Sequence, residues 1–239
     1  MSSGQKLITT IEGLDPSEKI REDLAREGQE VLVAFSCGKD AICTELALRE
    51  SGVPTKLAYL YYIPGLQFIE DGIKSLEDQL GKPIARYPHP SLYRWLGLGV
   101  FQTPERANIV AAAQLVKLDY DMVWDLARED LGLHPDTLLA DGVRANDSQQ
   151  RRMAFTKFGA LKRHKKKVSP IWDWSIAKIR ETLGEHDITL PVDYEWFGRS
   201  YDGLDRRFLE PIAQNAPEDF QRILDWFPLA EMELVRHGV

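Results

Sequence analysis

The stretch VLVAFSCGKDAICTELAL (residues 31–48) decides how this chain is read. Val31, Leu32 and Val33 leave no polar face, so residues 30–35 are predicted as a strand buried on both sides. At Ser36 the apolar run stops in a short polar loop, and over residues 40–50 helical spacing takes over, with Ile42, Cys43, Leu46 and Ala47 on one face. A loop between a strand and a helix presents backbone N–H groups at the positive end of the helix dipole, which suits phosphate. Ser36 adds a hydroxyl donor and Lys39 a charge, while Gly38 lets the main chain approach a ligand without a Cβ in the way. The loop is too short for the P-loop pattern G-x-x-x-x-G-K-(S/T). The alternative to a phosphate site is a tight turn carrying a solvated lysine.

Outward from this stretch, Ile20 and Leu24 among charged residues predict an entry helix over 16–28. Gly52 and Pro54 end the helix after the loop, and 56–62 reads as a second buried strand. A helix over 66–80 and a short strand over 84–87 follow. The middle, 103–132, is helical in pattern; 137–140 is a short strand ending at Asp141 and Gly142; a helix starts near Asp147. The β-α-β-α-β order, with strands too apolar for a one-sided sheet, predicts an α/β fold: a doubly wound parallel sheet with a helical N-terminal entry and a helix-rich C-terminal cover. The expected organisation is a nucleotide-binding α/β domain over 1–167 and a helical cover over 168–239, packed as part of the same unit. Residues 217–226 and 229–237 read as two packed helices at the C-terminus.

The whole chain sets limits. With 239 residues, 44% hydrophobic, it can bury a large core, and a net charge of −7 argues against a general nucleic-acid coat or membrane-surface binder. No apolar run reaches a membrane-spanning length, and the first residues, MSSGQKLITTIEG, have neither the basic nor the apolar region of a signal peptide. Two cysteines, Cys37 and Cys43, make neither a disulfide framework nor a CxxC metal site. A cytoplasmic protein with no membrane partner is expected. His89 and His134 stand beside prolines with no metal-ligand spacing.

A second cluster lies after the late strand. Asp147 or Ser148 is a good N-cap, so the 141–148 loop meets another helix N-terminus at the end of a strand. In open α/β sheets ligands sit outside the carboxyl ends of strands, where Arg144 and Arg151 could share a crevice with Lys39. Guanidinium forks suit phosphate or sulfate oxygens. The alternative for Arg151 and Arg152 is a solvated helix face.

These residues carry a resemblance. Ser36-Cys37-Gly38-Lys39-Asp40-Ala41 resembles the SGGKDS pyrophosphate loop of the N-type ATP pyrophosphatases (adenine nucleotide alpha hydrolase-like proteins), with Cys37 for Gly and Ala41 for Ser. Pro64-Gly65-Leu66-Gln67-Phe68-Ile69-Glu70-Asp71 is similar to the TGxxFPET segment of the phosphoadenosine phosphosulfate (PAPS) reductase branch. Residues 142–151, GVRANDSQQR, fit that branch's G-x-R-x-x-(D/E)-S-x-x-R pattern, and Pro170 to Trp174 its P-(I/L)-x-x-W motif. The resemblance spans about residues 28 to 205. It implies an adenine nucleotide, ATP or the sulfonucleotides PAPS and APS, bound by Ser36, Cys37, Gly38, Lys39, Asp40, Ala41, Tyr62, Gly65, Gly142, Arg144, Ser148 and Arg151. The backbone near Tyr62 would read the adenine edge. Lys39, Asp40 and Arg144 would be catalytic, with Asp40 positioning Mg²⁺; as a helix-start residue Asp40 is equally a favourable first-turn charge.

The resemblance breaks at one place. Sulfonucleotide reductases of this family use a cysteine near the C-terminus, and no cysteine follows Cys43 here, so sulfonucleotide reduction and iron–sulfur ligation are not expected. What remains is the superfamily's general chemistry: hydrolysis of ATP at the α-phosphate to activate a substrate. The alternatives are a non-catalytic nucleotide-binding module acting with a protein partner, and a protein that binds PAPS or APS without reducing it. Proteins resembling this branch take part in DNA sulfur modification, and similar chains occur in bacteriophages. Cys37 is either a thiolate poised at a helix start or a small residue whose N–H binds; Cys43 reads as core.

From Arg151 to Lys167 every charged residue is basic, the densest part being residues 162–167, KRHKKK. This is either a phosphate-tracking surface for a nucleic-acid partner or a solvated helix and loop that complements the anionic nucleotide. Trp172 and Trp174 nearby read as stacking residues or as core.

Overall fold

The apolar run becomes β1 (Val31–Ala34) and the polar loop after it opens α2 (Lys39–Glu50), preceded by α1 (Ser17–Arg26). The computed structural model describes residues 7–236. In chain order there follow β2 (Thr55–Tyr61), α3 (Gln67–Leu80), β3 (Ile84–Pro88), α4 (Pro90–Gly97), α5 (Pro104–Ala113), α6 (Tyr120–Asp130) and β4 (Leu138–Ala140). A turn of 3-10 helix at Ala145–Asp147 leads into α7 (Gln149–Phe158); β5 (Leu161–Lys162) and β6 (Lys167–Val168) form a hairpin. The chain ends with α8 (Ile176–Glu185), α9 (Asp193–Phe197), α10 (Arg206–Asn215), α11 (Pro217–Trp226) and α12 (Met232–Val235).

The strands form one sheet in the order β3-β2-β1-β4-β6-β5. β1 runs parallel to β2 (Val31 opposite Thr55) and to β4 (Val31 opposite Leu138), and β4 runs parallel to β6. The chain therefore moves outward from β1 through β2 and β3, then returns to β1's other side and continues through β4. This reversal is a doubly wound topology, and its switch point lies between β1 and β4. The edge departs from the all-parallel expectation, since β5 and β6 are antiparallel. Two-residue strands inside a lysine-rich run carry no hydrophobic alternation, so pattern reading missed them.

The described chain divides into two compact units that interleave in sequence. One takes the residues through Tyr59, Lys82–Ala85 and Ala127–Leu190; the other takes Leu60–Gly81, Arg86–Leu126 and the chain from Pro191 onward.

In the first unit α2 departs from its predicted one-sided pattern: residues 41–48 are all buried. One reason is α8, which with Ile171 and Trp174 packs Ile179 around Cys43 and Ala47. The polar members of α2 are satisfied. Glu45, fully buried, accepts from Thr55 Oγ1 at 2.6 Å and pairs with Lys82 Nζ at 2.6 Å. Trp172 and Trp174 are core residues, 1% and 4% exposed. Arg21, buried, donates to Ser17 Oγ and to the Pro170 carbonyl, and Ser17 Oγ donates to Asp173, which fastens α1 to that segment.

The second unit has its own core, which includes Leu66, Phe68, Tyr201, Phe208, Ile212, Ile223 and Phe227. Rings meet edge to face, as Phe197 with Phe208 at 5.0 Å between centroids. Asp219 on α11 accepts from the backbone N–H of Gln67 and Phe68 at 2.7 and 2.9 Å, placing a carboxylate on the N-terminus of α3. His89 is the N-cap of α4, its Nδ1 accepting from Ser91 N at 3.0 Å. Of the two predicted C-terminal helices, α11 forms over its predicted range and the second is a single short turn, α12; His237 lies outside the described residues. Among the described residues no helix is long and apolar enough to cross a membrane.

Candidate functional site

The carboxyl ends of β1 and β4 carry the two loops that sequence reading singled out. Ser36 is exposed, Cys37 and Gly38 are buried, and Gly38 is the N-cap residue of α2 in extended conformation. Lys39 and Asp40 form the first turn of that helix, and Ala41 is buried beneath them. Cys37 has φ 58°, in the left-handed region that glycine adopts freely and a residue with a Cβ adopts at a cost of about 1–2 kcal/mol. The loop thus turns at the position where the resembled pattern has Gly.

The two loops are locked together at one glycine. A Cβ on Gly142 would lie 2.9 Å from the Asp40 carbonyl carbon and 3.0 Å from its Cβ and oxygen. Gly142 is therefore required by the approach of the β4 loop to the first turn of α2, a reason the ligand-binding expectation did not include.

Around this contact runs a chain of alternating charges. Lys39 Nζ is 2.8 Å from Asp40 Oδ2, and Arg144 Nε is 2.9 Å from Asp40 Oδ1. Arg144 Nη2 reaches Asp147 Oδ1 at 2.7 Å, and Arg151 Nη1 reaches Asp147 Oδ2 at 2.5 Å. The Arg144 side chain is only 7% exposed, against 50% for Arg151. The Arg144–Asp40 approach is close but lacks hydrogen-bond alignment, so Asp40 Oδ1 and Arg144 Nε are both buried without a hydrogen bond. A buried guanidinium nitrogen left in that condition is expensive, and a site for an anion is one reason a fold keeps it; the carboxylate oxygen beside it calls instead for a donor or a cation.

Sequence reading missed Asp147 as the hub of this chain, having weighed it only as a helix cap. Its signal was present in the spacing, since Arg144 and Arg151 stand three residues before and four after it. The cap of α7 is Ser148, whose Oγ accepts from Arg151 N at 3.1 Å. Accepting that bond leaves its O–H able to donate. Asp141 was also passed over. Burial pushes its carboxyl above the usual carboxylate range, against hydrogen bonds from Ser169 Oγ at 2.7 Å and Val143 N at 3.2 Å. Cys43 is core: burial first, and then the nearby Asp40 charge, push its thiol up to about 12.

The chain's fold is similar to that of the crystal structure of phosphoadenylyl-sulfate (PAPS) reductase from Candida auris, phosphate complex, with a TM-score of 0.47 and 12% identity, covering 82% of this chain and 97% of that one. The likeness is one of fold alone. No protein-family model and no curated protein matches the sequence.

Tyr62 and Gly65, the remaining predicted binding residues, belong to the second unit. Gly65 takes φ +74° in the turn after β2. Tyr62 stacks on His89 at 4.0 Å and on Trp95 at 5.5 Å between centroids, and burial pushes its hydroxyl up to about 12. His89 Nε2 stands 3.0 Å from Tyr120 Oη. Because Nδ1 accepts from Ser91, the ring proton is assigned to Nε2, which donates to Tyr120.

Proposed function

We propose that this chain binds an adenine nucleotide by its phosphates at the carboxyl ends of β1 and β4, and activates ATP for attack at the α-phosphorus. The observation that supports this most is the Lys39–Asp40–Arg144–Asp147–Arg151 charge chain at the switch point, with Asp40 Oδ1 and Arg144 Nε buried and short of hydrogen bonds. Three cations to two carboxylates leave the cluster one positive charge in excess, which phosphate oxygens would take up, and the N-terminus of α2 faces the same loop.

In the reaction an acceptor oxygen attacks the α-phosphorus, the bond from that phosphorus to the α–β bridging oxygen breaks, and pyrophosphate leaves with the bonding pair. The acceptor's proton passes to water. Lys39 and Arg144 offset the charge that builds on the α-phosphoryl and leaving pyrophosphate oxygens, and the stiff contact at Gly142 fixes their spacing. Asp40 orients both cations. Its two oxygens face Lys39 and Arg144. Were Mg²⁺ bound with the nucleotide, Asp40 is the residue that would hold it, and the ion would supply further charge neutralisation at the phosphates. Reduction of a sulfonucleotide is not part of the proposal, because the chain has no thiol beyond Cys43.

The test is calorimetric titration of the parent chain and Lys39→Ala with Mg·ATP, PAPS and APS, followed by a pyrophosphate-release assay. Removing one charge-assisted contact should weaken binding about ten- to a hundredfold. ATP binding that is lost in the variant supports the proposal. Tighter binding of PAPS than ATP would replace it with sulfonucleotide binding. ATP binding with no pyrophosphate release for any acceptor would leave a nucleotide-binding module, and no binding at all would end the reading.

A further inference from the structure

The basic stretch 151–167 lies wholly within the first unit. α7 buries only Phe155, so nearly its whole circumference faces solvent along about 15 Å. Two large apolar side chains stand on it in the open: Met153 at 64% exposure and Phe158 at 56%. Phe158 ends the helix, and Gly159, at φ 73°, turns the chain sharply into the β5–β6 hairpin. Lys157 Nζ lies 5.1 Å and Lys165 Nζ 6.0 Å from the centre of the Phe158 ring, while Lys162 Nζ lies 5.8 Å from that of Phe155.

Three of the cations here are committed elsewhere: Arg151 to Asp147, Arg163 to Glu27 and Lys166 to Asp136. Among the described residues Arg152, Lys157, Lys162, Lys165 and Lys167 have no carboxylate within ion-pair distance. A positive surface left unneutralised on a chain of net charge −7 is a local feature, not a consequence of composition. A solvated lysine face needs no exposed aromatic ring, whereas a ring flanked by ammonium groups is the pairing of stacking platform and phosphate contacts by which proteins hold unpaired bases.

We propose that α7 and the β5–β6 hairpin bind single-stranded nucleic acid, with a base stacked on Phe158 and the backbone tracked by Arg152, Lys157, Lys162, Lys165 and Lys167. A duplex would use the cations but leave the ring idle, because its bases are already stacked on one another. The cap of α7, Ser148, is next to the Arg144–Asp147 pair, so a strand lying along the helix has one end at the rim of the candidate site. That the strand is also the acceptor for the activated phosphoryl group rests on the nucleotide reading above; that it binds does not.

Binding is measured by fluorescence anisotropy, without nucleotide, using labelled 20-nucleotide single-stranded DNA and RNA and the corresponding duplex. Vesicles containing phosphatidylserine are tested in parallel by co-sedimentation. Five phosphate contacts predict a slope of log K against log salt of about −3.5, or roughly a hundredfold loss between 50 and 200 mM salt. Phe158→Ala should weaken single-strand binding at least about fivefold while leaving the salt slope and nucleotide binding unchanged. Lys157→Glu with Lys165→Glu should make the slope shallower by about 1.4. All three side chains are exposed, so unchanged melting temperatures serve as the folding check. The proposal is overturned if single strands do not bind at 50 mM salt, if duplex binds as tightly and Phe158→Ala has no effect, or if vesicles bind and strands do not.

Discussion

The contact between Gly142 and Asp40 is the most exposed of these inferences to experiment. In Gly142→Ala the new methyl would stand 2.9–3.0 Å from three atoms of Asp40, two of them backbone atoms of the first turn of α2. A helical turn cannot swing aside as a side-chain tip can. Overpacking of this kind costs about 1–3 kcal/mol, and the smaller conformational freedom of the unfolded alanine chain returns about 0.4–1 kcal/mol of it. The expected net loss is about 1–2 kcal/mol, or a melting temperature lower by about 3–6 °C for a chain of this size. Gly184→Ala is the matched control. Gly184 lies inside α8 with nothing within 4 Å of its Cβ position, so the same substitution should stabilise by about 0.5–1 kcal/mol. Urea unfolding of both variants gives the signs directly. Relief of the overlap by separating the loops would lengthen the 2.9 Å Arg144–Asp40 approach, so nucleotide affinity should fall with stability in Gly142→Ala and hold in Gly184→Ala. If Gly142→Ala were as stable as the parent chain, the close approach would be refuted, and with it the account of how the two loops keep their spacing.

Other outcomes follow from the same structure. Arg144→Ala leaves the Asp40 and Asp147 carboxylates, 27% and 18% exposed, facing an empty space; a loss of about 2–3 kcal/mol in urea unfolding is expected, partly recovered by adding Asp147→Asn. Burial, and then the charge of Arg94, lower the His89 pKa to about 4, so the folded chain keeps the ring neutral where the unfolded chain protonates it below about 6.5. Its contribution is full above that pH and is lost as pH falls toward 4, by about 1–3 kcal/mol; a parent chain whose stability falls no more than that of His89→Gln over this window contradicts it. Cys43, with its thiol pushed up to about 12, should resist alkylation at pH 8 in the folded chain and react once unfolded. Rapid native labelling mapped to Cys43 would mean that α2 and α8 separate readily.

The sequence by itself carried the doubly wound α/β reading and the place of the candidate site, for local reasons. Strands buried on both faces are continuously apolar, and a glycine-containing loop before a helix is visible in six residues, so β1, α2, the β4 end and the cap at Ser148 could be read from their own residues. What only the tertiary structure decided depends on groups far apart in the chain. Asp40 and Arg144 are more than a hundred residues apart, and nothing in either loop says that a guanidinium will settle beside that carboxylate or that Gly142 must lack a Cβ to allow it. The all-round burial of α2 depends in part on α8, and the β5–β6 hairpin on pairing with β4, against the preference of a lysine-rich run for solvent. Short-range pattern records where the chain turns and which face is apolar; which charges finally meet is fixed when the sheet closes around its switch point.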